Sequence, residues 1–338
     1  MKDLIRRLPK FDLHVHLDGS MRAETVLEFI GLSKHDPERY SPQDIDQRLH
    51  PPARCTLDEY LQAFEVTIAA LQGEAQLERA AYELCEDASS EKVVYMEIRF
   101  APLLHTTQGL SPEAVVEAVL SGLDRAKSAL PIQANLILCA MKQESPSRSL
   151  QVAELAARYR RDGVVALDLA GPEQDYPPSI HLAAVDKAKA EGLNVTIHAG
   201  ESCCPGHIRQ AIEIGADRIG HGVYLFQDEE TEELVADRGI PLEVCPTSNM
   251  QISRLISSYA DHPFKRYLER GLRVTLNTDN RLMSEIDVTH ELTSMTEAFA
   301  LTEEELKQVL LNSADAAFIP EKARARYSDR VRQSFSEI

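Results

Sequence analysis

The segment FDLHVHLDGS, Phe11 to Ser20, alternates without a break. Phe11, Leu13, Val15 and Leu17 fall on one side of an extended chain, and Asp12, His14, His16 and Asp18 fall on the other. Only a strand has this period. Its polar side carries two imidazoles two positions apart, close enough to grip one ion, and its apolar side is suited to pack beneath helices. A surface strand with one face in water would alternate in the same way, so the rest of the chain has to break the tie.

Working outward, seven further β-branched runs follow: Val93–Phe100, Ile132–Ala140, Val164–Ala170, Asn194–His198, Arg218–His221, Pro241–Cys245 and Arg273–Thr278. Amphipathic stretches separate them, several with readable ends. Ser111–Pro112–Glu113 places a cap, a first-turn proline and an acid ahead of an apolar helical pattern. Asp228–Glu233 loads acids onto the start of a helix that stops at Gly239. Eight strands with helical crossovers most readily close into an α/β (β/α)8 TIM-type barrel. No G-x-G-x-x-G or P-loop pattern follows any strand, which leaves dinucleotide and P-loop readings without support.

Two regions exceed the minimal repeat, and the whole chain, 1–338, reads as one barrel domain that carries both. A helical insertion of roughly 18–92 follows the first strand, with a helix from near Met21, a proline-rich piece (Pro37, Pro42, Pro51, Pro52) and further helical pattern from Thr56. Within it Leu57, Tyr60, Leu61 and Phe64 recur at i, i+3, i+4 and i+7, one face of a helix. An insertion of this length on the catalytic rim is expected to be a lid. After the last strand, 285–338 holds two helices, Glu285–Phe299 and Thr302–Phe318, and then a charged tail expected at the surface.

Fifty-four acidic against thirty-six basic residues give a net charge of −18, which argues against nucleic acid or an anionic membrane as partner. A metal cation and a small neutral substrate fit that charge. Six cysteines without a C-x-x-C pair suit neither a disulfide framework nor a cysteine zinc cage, so they read as thiols in a cytoplasmic protein. No apolar run approaches the ~20 residues of a membrane span. No oligomeric state is read from the sequence.

Barrel enzymes collect their reactive groups at the C-terminal ends of the strands. There stand His14 and His16, then His198 and Glu201, His221, and finally Asp279 and Asn280. Three imidazoles and a carboxylate suit Zn2+, one per chain, with a position left for water; other divalent ions fit the same donors. Such an ion brings the pKa of bound water toward ~7. Glu201 lies three residues beyond His198, where it can face the cavity without binding metal, and His221 is the residue to orient the water and take its proton. His35, His50, His105, His181, His207, His262 and His290 fall on loops or helices and read as solvated or capping side chains. Glu97 with Arg99 and Glu243 point inward by alternation, as buried ion pairs.

FDLHVHLDGS, LDLAGPE (Leu167–Glu173), HAGE (His198–Glu201), IGHG (Ile219–Gly222), CPTSN (Cys245–Asn249) and NTDN (Asn277–Asn280) together resemble the adenosine deaminases of the amidohydrolase superfamily, in the same order along the chain. The resemblance implies a metal-dependent barrel that converts adenosine, and usually 2′-deoxyadenosine, to the inosine product and ammonia. It implies His14, His16, His198 and Asp279 as metal ligands, Glu201 as the acid that protonates purine N1, and His221 with Asp279 as the groups that steer the attacking oxygen onto C6. It further implies that Asp18 contacts the ribose, with His16 beside it, that the Gly171 backbone approaches purine N3, and that Leu57, Tyr60, Leu61 and Phe64 form an apolar lid. The family often has a second aspartate followed by proline where this chain has Asn280 and Arg281; an Asn amide can still donate to purine N7. The alternatives are a deaminase of another 6-aminopurine, such as adenine, methylthioadenosine or an aminofutalosine-type nucleoside, and a non-catalytic nucleoside-binding barrel.

Overall fold

In the computed structural model, residues 1–32 and 42–337 are described. His35 and Pro37 lie outside them. Eight strands follow in chain order: β1 Lys10–His16, β2 Val93–Phe100, β3 Gln133–Met141, β4 Val164–Ala170, β5 Asn194–Ala199, β6 Arg218–His221, β7 Leu242–Val244 and β8 Val274–Leu276. Each pairs in parallel with the next. The alternation of the first segment therefore does not come from a face in water, because every residue of β1 is buried. Its apolar side packs under helices, and its polar side faces the barrel interior.

The ring closes between β1 and β8 through a short seam. Val15 bridges Asp279 in parallel; the His16 amide donates to the Asp279 carbonyl at 2.7 Å, and the Asp279 amide donates to the His14 carbonyl at 2.8 Å. Side chains extend the seam where backbone pairing stops. Asn277 Oδ1 accepts from the Leu13 amide at 2.9 Å, and the Asp12 carboxylate accepts from Thr278 Oγ1 at 2.6 Å. The pairing of β1 with β2 shifts between Asp12 and Val15, leaving one extra residue in β1 beside His14, the kind of irregularity that re-aims a side chain.

Polar residues inside the barrel satisfy one another. Arg218 donates to Glu97 Oε2 at 2.5 Å and to Glu243 Oε1 at 2.6 Å, and Arg99 donates to Asp168 Oδ2 at 3.0 Å and to Glu243 Oε2 at 2.8 Å. The ion pairs expected from Glu97, Arg99 and Glu243 are thus rearranged: Glu97 pairs with Arg218, and Arg99 spans Asp168 and Glu243. Alternation identifies which residues point inward, but partners are set by strand stagger, which it does not encode.

The insertion after β1 holds helices Ala23–Leu32, Pro42–Leu49, Leu57–Leu61, Phe64–Ala70 and Glu74–Ser90. Thr56 and Glu59 form a capping box at the start of the third. The stripe Leu57, Tyr60, Leu61 and Phe64 does not lie on one helix, because the chain breaks at Gln62 and Ala63 and begins a second short helix at Phe64. The segment beyond Phe318, expected as a surface tail, forms the helix Glu321–Ser336. Its Tyr327 packs edge-on against Phe11, with ring centroids 5.6 Å apart, and Val331 is fully buried.

Cys203 and Cys204, read as thiols, are joined by a disulfide. Cys204 takes a left-handed backbone (φ 61°) at the entry of helix Pro205–Ile214, and the tight turn brings adjacent sulfurs together. The other four cysteines are free and buried. No helix among the described residues is long and apolar enough to cross a membrane.

Candidate active site

At the C-terminal mouth of the barrel, one donor atom from each of His14, His16, His198 and Asp279 lies within 4.8 Å of the others. His16 Nε2 approaches His198 Nε2 to 3.3 Å, and Asp279 Oδ1 lies 3.4 Å from Nε2 of both His14 and His16. The opposite ring nitrogens explain this aim. His14 Nδ1 donates to Glu243 Oε2 at 2.8 Å, and His198 Nδ1 donates to Asp168 Oδ1 at 3.1 Å. Each carboxylate fixes a hydrogen on Nδ1 and leaves a lone pair at Nε2 turned inward. His14 Nε2 is buried without a hydrogen-bond partner. Converging lone pairs and a carboxylate oxygen repel one another and attract a cation, so the donor set fits a divalent ion.

Electrostatics sharpen the picture. Burial pushes His16 down to about 3 and also lowers His198, which keeps both imidazoles neutral and able to bind metal. Burial works against ionisation of Asp279, but the neighbouring imidazoles of His14, His221 and His16 outweigh it and hold the carboxyl well below the usual range. Glu201 goes the other way: burial, then the Asp279 charge, raise it well above the usual carboxylate range, while Lys142 opposes the rise. Two carboxyls in one site are thus driven apart, one held ionised and one holding its proton.

Glu201 is placed by a turn built around another acid. The Glu173 carboxylate accepts from the amides of Gly200, Glu201 at 3.1 Å and Ser202 at 3.0 Å. Glu201 is therefore not the cap of the following helix; Cys204 occupies that position. His221 ends β6 with φ 67°, and Asp279 follows β8 with φ 59°. Two non-glycine residues in the left-handed region beside one another mark local strain of the kind found at functional sites. His221 Nε2 lies 3.6 Å from Glu201 Oε1. Burial and the neighbouring His14 lower the His221 imidazole well below its ordinary range.

A cavity of about 190 Å3 opens above the donors, lined by His16, Asp18, Gly171, His198, Glu201, Asp279 and Asn280, and roofed by Leu57, Tyr60, Leu61 and Phe64. His14 and His221 lie beneath its floor and not in its wall. Gly171 has φ 96°, and a Cβ there would stand 2.5 Å from the Gln143 side chain, so this position demands glycine and lets backbone approach a ligand. Asp18 Oδ1 and Asn280 Oδ1 are buried without partners. Arg281 turns away from the cavity and pairs with Glu91.

Not every histidine sorted as expected. His105, His181 and His262 are buried and hydrogen-bonded, not solvated. His105 Nδ1 donates to the Leu71 carbonyl at 2.9 Å, and its Nε2 stands 3.5 Å from Asp18 Oδ2. Asp168, Glu173, Arg218 and the pair Ser248 and Asn249 take part in the site's support without having been singled out as site residues. Asp168 and Glu173 sit in LDLAGPE, and Ser248 and Asn249 sit in CPTSN, so the signal was the motif itself. Ser248 Oγ donates to Asp279 Oδ2 at 2.5 Å.

Comparison with known proteins bears directly on this geometry. The adenosine deaminase family model matches residues 9–334. The adenosine deaminase of Clostridium acetobutylicum is 40% identical over 324 residues, covering 95% of this chain and 96% of the relative. Among solved structures, Arabidopsis ADAL complexed with IMP superposes with a TM-score of 0.89 at 26% identity, covering 98% of both chains. An amidohydrolase from Burkholderia ambifaria with bound Zn shares the fold, with a TM-score of 0.89 at 24% identity over 99% of this chain and 94% of its own. With the barrel, the order of its motifs and the match over nearly its whole length in agreement, the chain belongs to the adenosine deaminase family of hydrolytic aminohydrolases.

Proposed function

We propose that this protein hydrolyses adenosine and 2′-deoxyadenosine to the inosine-type product and ammonia, with one zinc ion per chain held by His14, His16, His198 and Asp279. The observation that carries this reading is the convergence of those four donors beside a carboxyl, Glu201, driven to keep its proton. When bound, the ion supplies Lewis-acid activation of water near neutral pH. Displacing an amine from an aromatic ring requires breaking its conjugation, so a proton at the ring and an oxygen at the carbon must arrive together. Glu201 gives its proton to purine N1 and makes C6 electrophilic. Asp279 and His221 hold the attacking water on the face of C6, and loss of ammonia restores the ring.

The remaining cavity residues orient the substrate. The backbone at Gly171 meets purine N3, the Asn280 amide donates to N7, Asp18 takes a ribose hydroxyl, and the apolar roof covers the ring and excludes water. Asn280 followed by Arg281 favours a second reading, deamination of another 6-aminopurine. A nucleotide fits less well, since no Lys or Arg is among the described residues lining the cavity. Incubation of the zinc-loaded protein with adenosine, followed by loss of absorbance near the adenosine maximum and by ammonia release, tests the proposal. Absence of ammonia with full metal loading ends it, and a higher kcat/KM for adenine or methylthioadenosine transfers it to that substrate.

A further inference from the structure

Beneath the cavity floor runs a line of hydrogen bonds that the reaction as described does not use. The Phe264 amide donates to His262 Nδ1 at 3.1 Å, His262 Nε2 meets Asn249 Oδ1 at 3.2 Å, and Asn249 Nδ2 meets His221 Nδ1 at 3.0 Å. We propose that Asn249 and His262 are positioning residues that fix His221 as its Nε2–H tautomer, so that it enters the reaction as a hydrogen-bond donor to the attacking water; the role in catalysis rests on the deaminase reading.

The polarity of the line is set at its far end. A backbone N–H only donates, so His262 Nδ1 accepts and its hydrogen stands on Nε2. That hydrogen requires an acceptor, which orients the Asn249 amide with Oδ1 toward His262 and the NH2 group toward His221. His221 Nδ1 then accepts, and the ring hydrogen is left on Nε2. All three side chains are buried, with no water-facing alternative partner, so the direction cannot be reversed at one link without stranding the next. His221 Nε2 has no hydrogen-bond partner among the described residues and points into the space shared with Glu201 and Asp279. The lone pair that would take a proton from water is the one at Nδ1, and Asn249 already occupies it. The expectation that His221 accepts this proton is therefore replaced by donation from Nε2, which leaves the Asp279 carboxylate in the same space to take the water's proton and pass it to the departing amine.

Long-range nitrogen–proton NMR on the zinc-loaded full chain labelled with 15N-histidine tests this directly, with the His221 signals assigned by their loss in H221N. The expected pattern is a pyrrole-type Nε2 and a pyridine-type Nδ1. N249D replaces a donor by a group that only accepts, so the pattern should invert and kcat should fall about 100- to 10,000-fold, the scale of a wrong-tautomer histidine. KM should stay within about threefold, as for a contact made in the transition state. H262A frees the Asn249 amide to turn and should give a mixed pattern with reduced kcat, while H262Q restores a donor at the same place and should recover both; this pair decides the matter if N249D does not fold. A pyridine-type Nε2 in the native protein, or an inverted pattern in N249D with unchanged kcat, would overturn the proposal. Failure of the native protein to deaminate any 6-aminopurine would overturn the deaminase reading and with it the catalytic role, while the nitrogen pattern would still decide the tautomer.

Discussion

Glu201 and Asp168 show how much one side chain's neighbours decide. Glu201 keeps its proton because burial and the Asp279 charge both disfavour the carboxylate. Glu201→Gln retains shape and loses the proton donor, so kcat should fall by roughly 100- to 10,000-fold while metal content, read by elemental analysis, stays at the native value. Near-native turnover would remove Glu201 from the acid role. Asp168 aims His198 by accepting from Nδ1, and Asp168→Asn should weaken metal affinity by about 10- to 100-fold in a competition with a chelator. The donors themselves were legible because strand alternation and strand ends are properties of the local sequence. His105 and His262 were not, because a histidine on a loop looks the same in sequence whether it ends in water or under the barrel mouth.

Helices and strands carry these side chains, and the element after β8 illustrates the coupling. Helix Val288–Phe299 presents Glu291, whose carboxylate accepts from the Thr247 amide at 3.1 Å, next to Ser248 and Asn249. Burial raises Glu291 to about 8 from 4.5. The folded chain therefore holds a proton that the unfolded chain releases as pH passes about 4.5, and the stability this contributes is lost progressively as pH rises toward about 8. Glu291→Gln should remove that loss, so its Tm should exceed the native value by roughly 3 °C at pH 8.5 and converge with it near pH 5. A gap independent of pH would contradict the argument. The eight strands were legible as β-branched runs between capped helices. The break at Gln62 and Ala63 was not, because the apolar spacing of Leu57, Tyr60, Leu61 and Phe64 continues across it.

Across the whole molecule, the end of the barrel opposite the site is covered by the turn in which the Ala316 carbonyl accepts from Arg218 and the Phe318 amide donates to Glu97, and beside that turn packs the helix Glu321–Ser336. Its composition is highly charged, and its buried side chains are few, Ser328 and Val331, so periodicity alone reads it as tail. Tyr327 lies against Phe11 and Tyr95 at the start of β1 and β2. Tyr327→Ala should lower Tm by about 4 °C while leaving KM for the substrate unchanged, since the change is confined to the far end of the ring. A rise in KM would mean that packing at this end propagates to the mouth. The seam of Val15 with Asp279 has a further consequence for biosynthesis. Two proposed metal ligands lie in the first sixteen residues and another lies at position 279. A ribosome-bound chain that stops short of the eighth strand is without a complete ligand set, and cofactor capture has to wait until most of the polypeptide has been made.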